Sequence, residues 1–268
     1  MDDVDSSLFT KSRPGAPTGF FAAEAAGLRW LAAARQVPVV EVRAVREDGL
    51  DLERLEETGA SARAARRLGA DLARLHDAGA EAFGWIPAEG AWFGPLDAPF
   101  AVPVRQHDAF APFWAEDRLA PLARRAAPRL GAEGSAEVEA AIAVIRDGAF
   151  DGVSGQGRER PARLHGDLWS GNVLWTAGGA VLIDPAAHGG HRLEDLAMLS
   201  LFGAPHLEEI LAGYEEAHPL PGGWREDVPA HQLFGLLAHV VLFGGSYTAP
   251  TRVAARAVTA RAERLERG

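Results

Sequence analysis

Residues 164–172 read LHGDLWSGN, and residues 183–185 read IDP. Asp167 precedes Asn172 by five residues, and Asp184 follows Asn172 by twelve. The apolar runs VLW and AVLI lie between them on either side of two adjacent glycines, which predicts a β-hairpin with a tight turn. Because such a hairpin would bring Asp184 back towards Asn172, the sequence predicts one cluster of two carboxylates and an amide.

Two carboxylates and an amide in this order are typical of phosphoryl transfer to a hydroxyl group. One carboxylate accepts or orients the proton of the attacking hydroxyl, while an amide oxygen and the second carboxylate hold the Mg²⁺ that neutralises the triphosphate. The alternative interpretation is a capped turn before a hairpin, in which Asp167 and Asn172 serve as turn formers.

The scarcity of lysine and asparagine draws attention to a second cluster near the N-terminus. Lys11 is the one lysine among the 27 Lys and Arg residues, and Asn172 is the one asparagine. Lys11 ends a short strand-like segment, and Glu24 follows it by thirteen residues within a helical pattern. This spacing matches the ion pair that directs a lysine at nucleotide phosphates. The alternative is a solvated surface lysine.

Hydrophobic periodicity predicts two lobes. Residues 1–56 read as strand, helix, strand, strand, and residues 57–268 read as mainly helical. At the end of the first lobe, Glu53, Arg54 and Leu55 occupy the position of a kinase hinge, whose backbone groups would bind an adenine ring.

The same patterns divide the lobes further. Residues 83–100 are rich in glycine, proline and aromatic side chains, which predicts an extended loop. The predicted strands cover residues 8–11, 37–45 and 49–55. The predicted helices cover residues 20–35, 61–76, 110–126, 135–147, 193–202, 206–217, 230–243 and 251–266.

The composition excludes several classes of function. Lys and Arg number 27 against 37 Asp and Glu, and the net charge of −10 argues against a nucleic-acid or anionic-membrane partner. The absence of cysteine excludes disulfides, thiolate metal sites and a cysteine nucleophile. The opening MDDVDSS lacks the features of a signal peptide, and the longest apolar run, Leu233 to Gly245, is too short to span a bilayer. We therefore expect a soluble, cytoplasmic protein that acts on a small molecule, in an oligomeric state that the sequence does not determine.

The motifs resemble those of the fructosamine kinases (ketosamine 3-kinases), a branch of the aminoglycoside-phosphotransferase-like kinases. HGDLWSGN, IDPAAHGGHRLEDLAML and LLAHVVLFGGSY carry the resemblance, which runs from about Phe9 to Ala255. Its most specific element is Trp169, where other kinases usually place a lysine or a small residue. The resemblance implies a protein-kinase-like, two-lobed α+β fold. It also implies ATP-dependent phosphorylation of a sugar hydroxyl on a ketosamine (a glycated amine), with Mg²⁺ as cofactor.

The same resemblance implies roles for individual residues. Asp167 would be the catalytic base, and Asn172 and Asp184 would bind the metal ion. Lys11 and Glu24 would form the pair that directs the phosphates.

Further residues are expected to support this site or to contact the substrate. His165 is expected to support the catalytic loop by hydrogen bonding, and Asp195 resembles the buried aspartate that holds the backbone of that loop. Trp169 is expected to offer its ring to the sugar or the amine; packing in the core is the alternative. His188 and His191 lie in a Gly-rich loop that could border the substrate; solvated loop positions are the alternative.

The resemblance is incomplete near Lys11. Other members place two strands and a Gly-rich turn before this lysine, whereas ten residues precede it here, so we expect a shortened N-terminal lobe without the Gly-rich loop. Two alternatives to ketosamine phosphorylation stay open. The chain could phosphorylate another amine-bearing metabolite such as an aminoglycoside or choline, or it could be a pseudokinase that binds a ligand without turnover.

Overall fold

The computed structural model describes residues 7–267, which begin with a small antiparallel sheet and one helix. Strand β1 (Leu8–Ser12) precedes helix α1 (Phe20–Ala33), and strands β2 (Val42–Arg46) and β3 (Gly49–Glu53) follow. The sheet order is β1-β3-β2, which confirms the predicted sequence of strand, helix, strand, strand. The buried residues that join the helix to the sheet are Phe20, Phe21, Ala25, Leu28, Leu50 and Leu52.

The strand predicted over residues 37–45 is only partly correct. Strand β2 begins at Val42, and the residues before it pair with the larger lobe instead. The N–H of Val40 donates to the carbonyl of Leu182 at 3.0 Å, and the N–H of Leu182 donates to the carbonyl of Pro38 at 2.9 Å. The alternating pattern therefore covers two short extended segments that pair with different partners.

Helix α2 (Ala62–Asp77) is the first helix of the larger lobe and begins where the sequence predicts. The side chain of Ser61 accepts a hydrogen bond from the N–H of Ala64 at 3.2 Å, which caps the helix. Leu68 and Leu72 are buried on the face predicted by the periodicity.

The prediction of an extended loop over residues 83–100 is wrong in part. Strands β4 (Ala91–Phe93) and β5 (Phe100–Val102) form a short antiparallel hairpin. Phe93 is buried, and its ring meets the ring of Phe234 edge-on at 4.7 Å between centroids. Strands this short leave no alternating pattern in the sequence, so the hairpin is defined by aromatic contacts that periodicity does not show.

The two helices predicted between residues 110 and 147 form one longer helical region. It consists of α3 (Phe110–Pro112), a π-helical stretch (Phe113–Leu119) and α4 (Ala120–Arg146). The chain between the two predicted helices is helical apart from a kink at Gly131, where φ is 69° and ψ is 179°. Glycine adopts this conformation without a steric cost, which explains how the helix continues beyond the kink.

The predicted hairpin around the two glycines is confirmed. Strands β7 (Val173–Thr176) and β8 (Gly179–Leu182) pair in antiparallel register. Just before them, β6 (Ala162–Leu164) pairs with β9 (His188–Gly190). The loop of residues 165–172 therefore lies between two pairs of strands that hold both of its ends.

The remaining helices lie close to their predicted positions. They are α5 (Leu193–Phe202), α6 (Leu207–Ala217), α7 (Val228–Phe243) and α8 (Thr248–Arg267), with 3₁₀ turns at Ser170–Asn172, Trp224–Glu226 and Gly245–Tyr247. Within residues 7–267, no helix is both long enough and apolar enough to cross a membrane.

Helices α2 and α6 cross so closely that each needs a glycine at the contact. A Cβ atom on Gly69 of α2 would lie 1.8 Å from the carbonyl oxygen of Ile210 on α6. A Cβ atom on Gly213 of α6 would lie 1.9 Å from the carbonyl oxygen of Arg66 on α2. The two helix backbones are therefore in direct contact, and any side chain at either position would push them apart.

Gly69→Ala is expected to lower the free energy of unfolding by about 3 kcal/mol, at the upper end of the cost of overpacking. The matched control is Gly59→Ala, because nothing lies within 4 Å of a Cβ atom built there. Urea unfolding followed by circular dichroism measures both variants. Equal stability of the two variants would contradict a direct contact between the helix backbones.

Candidate functional site

A cavity of about 570 Å³ lies between the two lobes. Its walls come from β1 and α1 of the smaller lobe, from residues 86–96, and from the loop after β6 and helix α7 of the larger lobe. The five residues predicted from the two motifs all line this cavity: Lys11, Glu24, Asp167, Asn172 and Asp184.

Lys11 links the smaller lobe to the larger one through two carboxylates. Its Nζ lies 2.8 Å from Oε2 and 3.0 Å from Oε1 of Glu24 on α1, and 3.2 Å from Oδ1 of Asp184. Burial by itself would lower the pKa of Lys11, but the charges of Glu24 and Asp184 outweigh burial and raise it. The ammonium group therefore stays protonated and supplies a fixed positive charge at the cavity wall.

Asn172 connects the loop after β6 to the segment after β8 by hydrogen bonds. Its Nδ2 donates to the carbonyl oxygen of Asp167 at 2.8 Å and to the carbonyl oxygen of Asp184 at 3.3 Å. The same nitrogen lies 3.3 Å from Oδ2 of Asp167. Because the amide nitrogen is engaged in this way, and no donor within residues 7–267 bonds the amide oxygen, that oxygen is left for a ligand in the cavity.

Asp184 has a backbone conformation that is uncommon for a residue other than glycine. Its φ is 52°, in the left-handed region, just before Pro185. Such conformations cost on the order of 1–3 kcal/mol and are found mainly at functional sites. The side chain of Asp184 contacts Lys11. It is also 39% exposed, so it remains accessible from the cavity.

Asp167 faces the same cavity and has an unusually high pKa. Burial, followed by the negative charge of Asp184, raises the pKa of Asp167 to about 7, although the hydrogen bond with Asn172 acts in the opposite direction. A carboxylate whose pKa lies near neutrality is a better proton acceptor than an ordinary aspartate.

Asp195 holds the loop that carries Asp167. It is fully buried in the first turn of α5 and accepts hydrogen bonds from the N–H groups of His165 and Gly166, both at 2.9 Å. Nε2 of His76 lies 3.2 Å from the same carboxylate. Burial alone would raise the pKa of Asp195, but these hydrogen bonds outweigh burial and hold the pKa below its ordinary value.

His165 is buried inside the same loop. Its Nε2 donates to the carbonyl oxygen of Ile183 at 2.7 Å, which leaves Nδ1 to accept from the N–H of Asp167 at 3.3 Å. Burial lowers the pKa of His165, which favours the neutral ring that these two bonds require. Nε2 thus connects the loop to the residue after β8, and Nδ1 fixes the backbone of Asp167 within the loop.

Besides Asp167, the residues predicted to contact a substrate are Trp169 and His188, which differ in their surroundings. Trp169 is 41% exposed at the cavity wall, with its ring 6.5 Å from that of Phe202. His188 also lines the cavity, but its Nδ1 lies 2.8 Å from the carbonyl oxygen of Ala186 and its Nε2 lies 3.1 Å from Glu194. His188 and its neighbour His191 are both buried, so the interpretation of them as solvated loop residues is wrong.

The predicted hinge residues Glu53, Arg54 and Leu55 do not line the cavity. The N–H of Glu53 donates to Glu41 at 3.0 Å, and the N–H of Arg54 donates to Ser7 at 2.8 Å. These two N–H groups are therefore already engaged within the smaller lobe. The adenine site stays a prediction.

The oxygen atoms of the cavity are of the kind that Mg²⁺ binds. Among residues 7–267, no group of three or more His, Cys, Asp or Glu side chains could hold a metal ion by itself. Mg²⁺ usually takes one or two protein ligands and completes its shell with phosphate oxygens and water. The amide oxygen of Asn172 and the carboxylate of Asp184 therefore fit this ion when a nucleotide supplies further ligands.

Neither Arg118 nor the aromatic rim of the cavity, apart from Trp169, is predicted by the sequence patterns. The rim consists of Trp169, Phe202, His239, Phe243 and Tyr247. The ring of His239 lies 4.8 Å from the rings of both Phe202 and Tyr247. His239, Phe243 and Tyr247 lie four residues apart in one segment, whereas Trp169 and Phe202 come from two other segments, so no local pattern predicts that all five meet. Arg118 directly follows two acidic residues in FWAEDRL, so its local sequence does not distinguish it from an exposed arginine.

Comparisons with known proteins agree over most of the chain. A family model described as fructosamine kinase matches residues 1–260. A candidate ketoamine kinase of Thermus thermophilus is 35% identical over 237 residues, which is 88% of this chain and 82% of that protein. The crystal structure of a candidate fructosamine-3-kinase of Thermobifida fusca is 43% identical with a TM-score of 0.83, and the match covers 94% of this chain and 85% of that one.

Other matches are shorter or more distant. This chain is 48% identical over 88 residues to a candidate ketoamine kinase of Enterococcus faecium, and this segment spans 31% of the length of that protein. A choline/ethanolamine kinase family protein of Mesorhizobium loti is 17% identical with a TM-score of 0.58, over 98% of this chain and 83% of that one. These structures confirm the predicted protein-kinase-like fold.

Asp195→Asn is expected to lower the free energy of unfolding by about 3 kcal/mol, because it removes a buried charge that accepts several hydrogen bonds. An amide in this place would also turn an NH₂ group towards an N–H group of the loop. The matched control is Asp147→Asn, at an exposed position. Denaturant unfolding measures both variants. If Asp195→Asn were as stable as the control, Asp195 would not hold the loop as described.

Proposed function

This chain belongs to the fructosamine kinase family, and we propose that it transfers a phosphoryl group from ATP to a sugar hydroxyl of a ketoamine. The observation that carries the proposal is the contact of Lys11 with both Glu24 and Asp184 in the cavity that also contains Asp167 and Asn172. A positive charge, a proton acceptor and two oxygen donors for Mg²⁺ are the groups that phosphoryl transfer requires.

Asp167 is the residue proposed to accept the proton of the sugar hydroxyl. As the new bond between the sugar oxygen and the γ-phosphorus forms, the bond from that phosphorus to the oxygen of ADP breaks, and the hydroxyl proton passes to Asp167. Its raised pKa suits this role, because a base works best when its pKa lies near the working pH. Asn172 and His165 hold the loop so that the carboxylate keeps its place.

Lys11 is proposed to hold the phosphates of ATP in line with the acceptor. Glu24 fixes the direction of the ammonium group, because two of its oxygens lie within 3.0 Å of Nζ. Asn172 and Asp184 would hold Mg²⁺, which when bound neutralises charge on the phosphates.

The acceptor is proposed to lie against the aromatic rim. Aromatic faces suit both the C–H surface of a sugar and a protonated amine, since ring faces attract cations. Trp169 lies two residues from Asp167 in the same loop, so it can contact the sugar next to the reacting hydroxyl. His188 contributes the shape of the wall, because both of its ring nitrogens are already engaged.

The experiment that tests the proposed function incubates the chain with Mg-ATP and a panel of acceptors. The panel contains fructosyl and ribulosyl amines, aminoglycosides and choline, and release of ADP is followed with NMR of any product. Phosphorylation of the ketoamines supports the proposal. If an aminoglycoside or choline were the one acceptor phosphorylated, the chain would be a kinase for that acceptor instead. Binding of nucleotide without any product would indicate a pseudokinase.

Asp167→Asn is expected to lower kcat on the preferred acceptor by roughly a hundredfold to ten-thousandfold, because the amide cannot accept the proton. The substitution keeps the size of the side chain, so calorimetric binding of Mg-ATP should change little. A variant with an almost unchanged kcat would rule out Asp167 as the base.

Lys11→Arg is expected to lower kcat/KM by roughly a hundredfold, similar to the loss of one donor that stabilises the transition state. Arginine keeps the charge but presents a planar group that does not fit between Glu24 and Asp184 in the same way. The matched control is the opposite exchange at a surface position, Arg67→Lys, where the side chain is 70% exposed. If both variants retained full activity, the role of Lys11 towards the phosphates would be refuted.

A further inference from the structure

Arg118 is a buried cation of the cavity that the proposed reaction does not use. It lies in the π-helical stretch Phe113–Leu119, is 4% exposed and lines the cavity. Its Nη1 donates to the carbonyl oxygen of Pro103 at 2.9 Å, and its Cζ lies 4.6 Å from the centre of the Phe113 ring. Within residues 7–267, no carboxylate oxygen lies within 4.0 Å of its guanidinium nitrogens.

The carboxylates that act on Arg118 from a greater distance have other partners. Asp117 forms an ion pair with the exposed Arg105, and its Oδ2 lies 2.8 Å from Nε2 of His107. Glu194 lies 3.1 Å from Nε2 of His188. The guanidinium group therefore has one backbone acceptor and one aromatic ring, but no direct counter-charge in the described part of the chain.

Lys11, which also lines the cavity, has two carboxylates within 3.2 Å. Burying a charge is costly unless an opposite charge or several acceptors meet it. Burial lowers the pKa of Arg118 to about 10, which still leaves the group charged at neutral pH. An anionic ligand in the cavity would supply the missing partner.

We propose that Arg118 binds the carboxylate of the amine portion of the acceptor, so that the preferred acceptors are ketoamines formed from α-amino acids. This inference rests on the proposed function. Arginine binds carboxylates through two parallel N–H groups, and the single bond to Pro103 leaves N–H groups of Arg118 for this purpose. In such a ketoamine the carboxylate is attached to the carbon next to the amine nitrogen, close enough to share the cavity with the sugar.

The phosphates of ATP are less suitable partners for Arg118. Lys11 and Asp184 mark the end of the cavity where the phosphates are proposed to lie, and Arg118 forms no ion pair with Asp167 or Asp184. A carboxylate in the cavity would be repelled by these two aspartates and by the net charge of −10. Arg118 is therefore the group that would offset this repulsion and allow an acceptor with a carboxylate to bind.

The test compares two acceptors, N-fructosylglycine and N-fructosylglycinamide, which differ in the charge of one group. The wild-type chain is expected to show a kcat/KM roughly tenfold to a hundredfold higher for the carboxylate, as for a hydrogen-bonded charge pair. Arg118→Met should abolish or reverse this preference. The change should appear as a higher KM for N-fructosylglycine, whereas KM for ATP should stay the same. The matched control is Arg125→Met, because Arg125 lies over the Phe100 ring at 4.7 Å but is exposed and does not line the cavity.

The outcomes separate this inference from the proposed function. Phosphorylation of neither acceptor, while another ketoamine of the panel is phosphorylated, would overturn this inference alone. Phosphorylation of no ketoamine at all would overturn both. Equal phosphorylation of both acceptors by the wild-type chain would overturn the role of Arg118 alone, and this measurement does not depend on whether the variant folds. An equal loss for both acceptors in Arg118→Met, or a raised KM for ATP, would also overturn it.

Discussion

The ammonium group of Lys11 is the interaction on which the arrangement of the cavity depends. It lies between Glu24 of the smaller lobe and Asp184 of the larger one, within 3.2 Å of both. Without it, two carboxylates would face each other in a partly buried place, where repulsion is poorly screened. The same charge contacts Asp184 at the point where its backbone is in the left-handed region, next to the loop that carries Asp167.

Behind the cavity, a chain of direct contacts connects helices α2 and α6 to the loop of residues 165–172. Helices α2 and α6 touch at two glycines, and this fixes His76 of α2 between two polar partners. Nδ1 of His76 lies 2.8 Å from the hydroxyl of Tyr214 on α6, and Nε2 lies 3.2 Å from Asp195. Asp195 in turn accepts the two N–H groups of the loop. The position of this loop thus depends on how closely α2 and α6 pack against each other, although neither helix carries a residue of the loop.

The sequence predicted the parts of the site that are close together along the chain. The spacing of Asp167, Asn172 and Asp184 identified the loop and hairpin, because a tight turn at two glycines brings Asp184 back towards Asn172. The scarcity of lysine identified Lys11, and the spacing of thirteen residues identified Glu24 as its partner. Parts that depend on distant contacts could not be predicted: the β4–β5 hairpin is held by aromatic packing, and Arg118 faces the cavity because of the fold around it.

The near-complete use of arginine in place of lysine has a chemical consequence for a member of this family. Unprotonated amines attack the carbonyl group of reducing sugars, and a guanidinium group that stays protonated is a poor nucleophile at neutral pH. The one lysine of the chain has a side chain only 13% exposed, in an ion pair that keeps it protonated. The chain therefore offers almost no lysine amine to self-glycation, and the lysine it retains is shielded by the same carboxylates that position it.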